Sequence, residues 1–77
     1  MQTVNIRLDE MEKVRDFVNV VSPLEGDFDL VSDRYVIDAK SIMGIYSLDL
    51  RKTLKLVIHS EESAVKVLPL LKPYIVE

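Results

Sequence analysis

Two kinds of hydrophobic spacing alternate along this chain, and their order most limits the folds that it can adopt. Apolar residues alternate with polar ones over residues 3–8, at the start of an apolar stretch over residues 28–37, and over residues 53–58 except for Val57, as in strands with one buried face. They fall on every third or fourth position over residues 11–21 and 61–71, as in helices with one apolar stripe. The pattern therefore predicts a domain that combines a sheet with helices.

Turn residues divide these stretches further. The interruption at residues 32–34 splits the second apolar stretch and predicts a hairpin over residues 28–37. Pro23 and Gly26 together predict that the first helix ends near Val21. The last helix is predicted to begin at Ser60, whose side chain can accept hydrogen bonds from the amides ahead of it.

Two prolines complicate the C-terminal part of the chain. A short, very apolar helix is predicted near residues 41–48, which gives the element order β-α-β-β-α-β-α. Pro69 lies inside the last helical pattern and predicts a kink or break near residue 68, because proline removes a backbone hydrogen bond. Pro73 ends whatever helix remains, and the apolar residues 74–76 must then find cover.

Length and composition set the class of protein. A chain of 77 residues with 48% apolar and 30% charged residues is long enough for one small domain, which we expect to span residues 1–77. The net charge of −3 argues against a nucleic-acid partner. The sequence contains no apolar stretch of the roughly 20 residues that span a bilayer and does not begin like a signal peptide. We therefore expect a cytoplasmic protein without a membrane partner.

One segment resembles a known family. Val36-Ile37-Asp38-Ala39 runs into Lys40-Ser41-Ile42-Met43-Gly44-Ile45-Tyr46-Ser47-Leu48, and this segment resembles the HPr family of phosphocarrier proteins. In that family a strand leads into a similar stretch that opens the short second helix. The resemblance implies an α+β open-faced sandwich, in which three helices cover one face of a four-stranded antiparallel sheet of order 1-4-2-3. A single layer of helices also suits strands with alternating polarity.

The resemblance fails at the first helix. HPr proteins carry phosphate from a phosphoenolpyruvate-dependent enzyme to sugar permeases, on a histidine within a histidine-alanine-arginine-proline motif that opens this helix. That motif is absent, and counting back from Ser41 places Glu10 and Glu12 where the histidine and arginine would stand. Glu10 could accept phosphate as an acyl phosphate, but a capping carboxylate is the commoner role. Asp9 followed by Glu12 resembles a capping box.

These carboxylates decide the expected chemistry. A helix N-terminus attracts an anion. Three carboxylates already lie there, and their negative charge repels a phosphoryl group; they belong to Asp9, Glu10 and Glu12. We therefore expect the carrier activity to be lost. The one histidine, His59, lies at the end of the last strand without an evident orienting acid, so we expect neither an enzyme nor a catalytic residue. The sequence suggests no metal site and no cofactor.

Ser41 has two interpretations. Before a helix, a serine is most often an N-cap. The resemblance implies a second role, because Ser41 occupies the place of the serine that a dedicated kinase phosphorylates in HPr proteins of many Gram-positive bacteria. A phosphate there would be held by the amides of residues 42–44 and partly balanced by Lys40.

The second helix carries more apolar side chains than a short helix can bury. The resemblance implies that it forms part of a docking face for protein partners, whereas the plain alternative is a satellite of the core. The predicted contact residues are Ile42, Met43, Ile45, Tyr46 and Leu48.

Three functions remain open from the sequence. The first is a non-catalytic HPr-like module, related to the phosphoenolpyruvate-dependent sugar phosphotransferase system, that binds a protein partner or its own copy through the second helix. The second is a working phosphotransferase component regulated by phosphorylation at Ser41. The third is a structural module that self-associates through residues 74–76 or an exposed sheet edge.

Asp49 replaces a glycine common in the HPr family, so the loop over residues 49–52 can differ from the corresponding loop of HPr proteins.

Overall fold

The computed structural model describes residues 1–76 and has the predicted order of elements. The strands are β1 (Gln2–Ile6), β2 (Phe28–Ser32), β3 (Tyr35–Asp38) and β4 (Leu54–Ile58), and the helices are α1 (Met11–Val21), α2 (Ile42–Tyr46) and α3 (Glu61–Val67), followed by a 3₁₀ helix (Leu68–Leu71). The strands form one sheet in the order β1-β4-β2-β3, and every pair is antiparallel. This confirms the predicted α+β fold and its strand order.

The core lies between the helices and one face of the sheet. Along β4, Leu54, Leu56 and Ile58 are fully buried, whereas Lys55 is exposed and Val57 is half-buried on the other face. The buried apolar cluster contains Ile6, Leu8, Val14, Phe17, Val21, Phe28, Leu30, Ala39, Ile45, Leu48, Leu54, Leu56, Ile58, Ala64, Val67, Leu71 and Tyr74. One continuous core thus holds the sheet and the helices together.

The two predicted turns are present and depend on unusual backbone angles. Gly26 has a φ of 98°, a conformation that glycine adopts without strain, and lies between the end of α1 and β2. Asp33 has a φ of 53° in the β2–β3 hairpin, where Ser32 pairs directly with Tyr35. Aspartate tolerates this region better than most residues. The hairpin and the end of the first helix at Val21 are therefore confirmed.

Pro69 breaks the last helix as predicted. α3 ends at Val67, and the chain continues as the 3₁₀ helix over Leu68–Leu71, with Pro69 in its first turn. The first amides of a helix have no intrahelical partner, so the missing N–H of Pro69 costs little at this position. The new helical direction lets Leu71 enter the core.

The apolar C-terminal segment covers the outer edge of β1. The backbone N–H of Arg7 donates to the carbonyl of Tyr74 at 2.8 Å, and that of Val76 donates to the carbonyl of Asn5 at 2.9 Å. The Tyr74 ring packs edge-on against Phe17, with 6.0 Å between the ring centroids. Tyr74 is therefore buried, as predicted for this segment, whereas Ile75 stays 36% exposed.

The helices in residues 1–76 are too short or too polar to cross a bilayer.

Candidate functional site

The start of α1 differs from the capping that the sequence predicts. Glu10 is the N-cap residue, but its side chain accepts no hydrogen bond from the helix. The Asp9 carboxylate binds Lys13 Nζ at 3.0 Å, one helical turn ahead, instead of closing a capping box. The predicted capping box and the capping role of the Glu10 carboxylate are therefore wrong. The reason is that Lys13 competes for Asp9 as a charged partner.

The acidic charge at this helix start is partly balanced. The hydrogen bond from Lys13 is the main cause that lowers the pKa of Asp9, and burial opposes this effect. Arg7 Nε lies 3.9 Å from the second Asp9 oxygen. Within residues 1–76, Glu10 and Glu12 form no ion pair. These two carboxylates thus carry the negative charge that remains beside the first amides of α1.

Ser41 caps α2, as one of its two interpretations predicts. Its hydroxyl oxygen accepts a hydrogen bond from the backbone N–H of Gly44 at 3.3 Å. Its carbonyl accepts the first intrahelical bond, from Ile45 N–H at 3.0 Å. A Cβ at position 44 would lie 3.1 Å from this hydroxyl oxygen, so glycine allows the close approach. The Ser41 side chain is exposed to solvent despite this bond.

The Lys40 side chain is hydrogen-bonded to a loop and not to Ser41. Its Nζ atom donates to the carbonyls of Leu24 and Gly26 and lies 5.5 Å from the centroid of the Phe28 ring. The lysine therefore anchors the loop between α1 and β2 by hydrogen bonds and a cation–π contact. The prediction that Lys40 balances a phosphate on Ser41 requires this side chain to leave its three partners.

Burial divides the five predicted contact residues, four of which lie in α2 and one, Leu48, just after it. Ile45 is fully buried and Leu48 is 9% exposed, and both belong to the core. Their prediction as partner contacts is corrected, since neither reaches a partner in the folded protein. Ile42 and Tyr46 are partly buried and pack against the core, whereas Met43 is 75% exposed. The apolar surface of α2 therefore centres on Met43.

Met11 extends this surface onto α1. The sequence places Met11 on the buried stripe of α1, but its side chain is 68% exposed and the stripe begins at Val14. The Tyr46 hydroxyl donates to the Met11 carbonyl at 3.4 Å, which joins the start of α1 to α2. We name Met11, Met43 and Tyr46 the methionine surface. Spacing alone does not show that neighbouring elements leave this first-turn side chain uncovered.

His59 has an acidic partner that the sequence does not make evident. His59 Nε2 lies 2.7 Å from Asp29 Oδ2, although the two residues are thirty positions apart. Both side chains are partly exposed at the end of the sheet. The adjacent hydroxyl of Ser60 caps α3 by accepting from Ser63 N–H at 3.3 Å. Ser60 thus serves as the N-cap of α3, as predicted.

Strand register separates His59 from the start of α1. β1 pairs with β4 from Gln2 with Ile58 to Ile6 with Leu54, and α1 follows the Ile6 end. His59 follows Ile58 and so lies at the opposite end of the sheet; the strand from Leu54 to Ile58 alone rises about 14 Å. Clusters of three or more metal-binding side chains do not occur within residues 1–76.

Among known proteins, one solved structure supports this architecture. No protein-family pattern and no curated protein matches this chain. Among solved structures, the crystal structure of HPr-C-His from Thermoanaerobacter tengcongensis is similar, with a TM-score of 0.74 and 29% sequence identity. The alignment covers 92% of this chain and 90% of that chain. The fold of this protein is therefore HPr-like.

Proposed function

We propose that this protein is a non-catalytic, HPr-like binding module of the cytoplasm, related to the bacterial phosphoenolpyruvate-dependent sugar phosphotransferase system. It binds a protein partner through the methionine surface and has no histidine phosphocarrier activity. The observation that carries the proposal is the position of the one histidine, His59, at the end of the sheet opposite to the start of α1.

Charge at the start of α1 supports the loss of phosphate transfer. A phosphoryl group entering this end meets Glu10 and Glu12, which have no cationic partner within residues 1–76. The nearby cations, Arg7 and Lys13, are already engaged by Asp9. Free helix amides attract an anion, but fixed like charges within the first turn oppose it.

The methionine surface supports protein binding. Met11 and Met43 expose most of their apolar area on two elements that Tyr46 joins. Methionine is flexible and polarizable and adapts its shape to a partner surface. The start of the first helix and the second helix are also where the HPr resemblance implies docking. A partner would bury this apolar area without disturbing Ile45, which holds α2 to the core.

Ser41 favours a second candidate, a working phosphotransferase component regulated by phosphorylation. Its hydroxyl is exposed at the start of α2, so a kinase can reach it. Against this candidate, Lys40 is held by the loop carbonyls and is not positioned to balance a phosphate. Intact mass after treatment with HPr kinase and ATP separates the two candidates. A gain of one phosphate that Ser41→Ala abolishes favours the second.

The binding proposal predicts site-specific cross-linking. A photo-reactive amino acid at position 43 is expected to give discrete adducts in living cells, because the partner covers Met43. Val65 on α3 is the matched control, since it is 76% exposed and Met43 is 75% exposed.

Met43→Asp is expected to weaken binding at least about tenfold, because binding would bury an unpaired charge. The melting temperature of the Met43→Asp variant is expected to change little, since exposed sites tolerate substitution.

Equal adducts from positions 43 and 65 would contradict the proposed surface, as would the absence of adducts from position 43. A large fall in the melting temperature of Met43→Asp would show that this side chain contributes to the core.

A further inference from the structure

We propose that two copies of this protein associate through the outer edges of their β3 strands, antiparallel and with a two-fold axis at Val36. The two four-stranded sheets then form one continuous sheet of eight strands. This contact lies on a different element from the methionine surface and does not depend on the proposed function.

The sheet leaves one of its two edges open. The order β1-β4-β2-β3 places β1 and β3 at the edges. Residues 74–76 cover β1 through backbone hydrogen bonds and an isolated bridge between Ile6 and Ile75. No such segment within residues 1–76 pairs with the outer side of β3. An open edge offers unpaired N–H and C=O groups to another strand.

The register of the hairpin identifies the groups that face outward. A two-residue turn makes Ser32 and Tyr35 a hydrogen-bonded pair, and bonded and non-bonded pairs alternate along the strands. Ala39 N–H donates to the Phe28 carbonyl at 2.8 Å, as this alternation requires. The backbone groups of Val36 and Asp38 therefore point away from β2. Of these groups, the Asp38 carbonyl already accepts from Ser41 N–H at 3.0 Å.

This alternation restricts the possible two-fold pairings. An axis at Val36 places Val36 opposite its own counterpart, with two backbone hydrogen bonds between them. It also brings Arg34, in the turn that precedes β3, beside the partner's Asp38 at each end of the contact. Moving the axis by one residue, to Tyr35 or Ile37, places Val36 opposite Arg34 or Asp38 and loses this charge pairing. The charges therefore favour the axis at Val36.

Side chains on both faces of the sheet suit this register. Val36 is 63% exposed and pairs with half-buried Val31 on the face without helices, so the two copies would join these valines into one apolar strip. On the other face, Tyr35 would stand opposite the partner's Ile37, and Tyr35 is also 63% exposed. Pairs of aromatic and β-branched residues across strands stabilise a sheet. Because β3 has four residues, the interface is small and the dimer is expected to be weak.

A charge-swap experiment tests the contact. Sedimentation velocity over about 10 µM to about 1 mM is expected to show a reversible monomer–dimer equilibrium for the natural sequence. Arg34→Glu and Asp38→Lys each place like charges at both ends of the contact and are expected to weaken the dimer at least about tenfold. An equimolar mixture of the two variants is expected to restore dimers, because the heterodimer again pairs opposite charges.

Two controls separate the contact from folding and from general charge effects. Arg15→Glu makes the same charge change on the exposed side of α1 and is expected to leave dimerisation unchanged. Val36→Lys is expected to weaken the dimer, whereas Val65→Lys, at a similarly exposed valine on α3, is not. All variants are compared by far-ultraviolet circular dichroism and melting temperature before sedimentation.

A monomer at every concentration would overturn the proposal. A dimer that survives both charge reversals and Val36→Lys would place the contact elsewhere and also overturn it. Restoration in the mixture, with neither variant dimeric alone, would establish the antiparallel register.

Discussion

Replacing Phe17 with alanine is expected to unfold most of the protein at 25 °C. Phe17 is fully buried in the middle of α1 and packs edge-on against Tyr74, which closes the C-terminal segment over the core. Truncating a buried phenylalanine costs about 3–5 kcal/mol. The apolar core of a domain this small supplies roughly 3–5 kcal/mol in total. The loss is therefore comparable with the whole free energy of unfolding.

Urea denaturation followed by circular dichroism measures this effect. Met11→Ala is the matched control, because it truncates an exposed side chain on the same helix and is expected to change the free energy of unfolding by no more than about 0.5 kcal/mol. A melting temperature for Phe17→Ala within a few degrees of the natural protein would show that the packing between α1 and the C-terminal segment is misassigned.

Replacing Ile45 with alanine is expected to cost about 2–5 kcal/mol, the range for a large buried aliphatic side chain. Ile45 is the one fully buried residue within the five residues of α2, so it fixes this short helix against the core. Helices of this length have little stability of their own and depend on such packing. The variant is therefore expected to lose the order of α2 before the sheet unfolds.

Amide hydrogen exchange distinguishes loss of α2 from loss of the whole domain. In Ile45→Ala, the amide of Ile45, which bonds to the Ser41 carbonyl, is expected to lose protection before the amides of β4. Met43→Ala on the same helix is the control and is expected to leave both unchanged, since its side chain faces solvent. Equal destabilisation by the two substitutions would contradict the division of α2 into a buried and an exposed side.

The helices and strands could be predicted because each places apolar residues at its own spacing along the sequence. Alternation over residues 53–58 identifies β4, and Pro69 identifies the break after α3. These are local signals, read from neighbouring residues and from the fixed geometry of proline. The strand order could be predicted only from the family resemblance, because the sequence of one strand does not show which distant strand it pairs with.

The site could be predicted in part. Ser41 as an N-cap is local and was predictable, whereas the Asp29–His59 pair joins two strands and was not. The partners of Lys40 could not be predicted, because its long side chain reaches back to the Leu24 carbonyl, sixteen residues earlier. Helical spacing also could not tell the buried Ile45 from a contact residue, since that depends on which side of a short helix meets the core.

Phosphate transfer from phosphoenolpyruvate shows whether this protein can act as a carrier. The protein is incubated with the first enzyme of the phosphotransferase system and phosphoenolpyruvate, and its intact mass is measured under conditions that preserve phosphohistidine and acyl phosphate. A competent HPr protein in a parallel reaction is the positive control and must gain one phosphate. This protein is expected to keep its unmodified mass, because Glu10 and Glu12 occupy the start of α1 and His59 lies at the far end of the sheet. A phosphate found on Glu10 or His59 would contradict it.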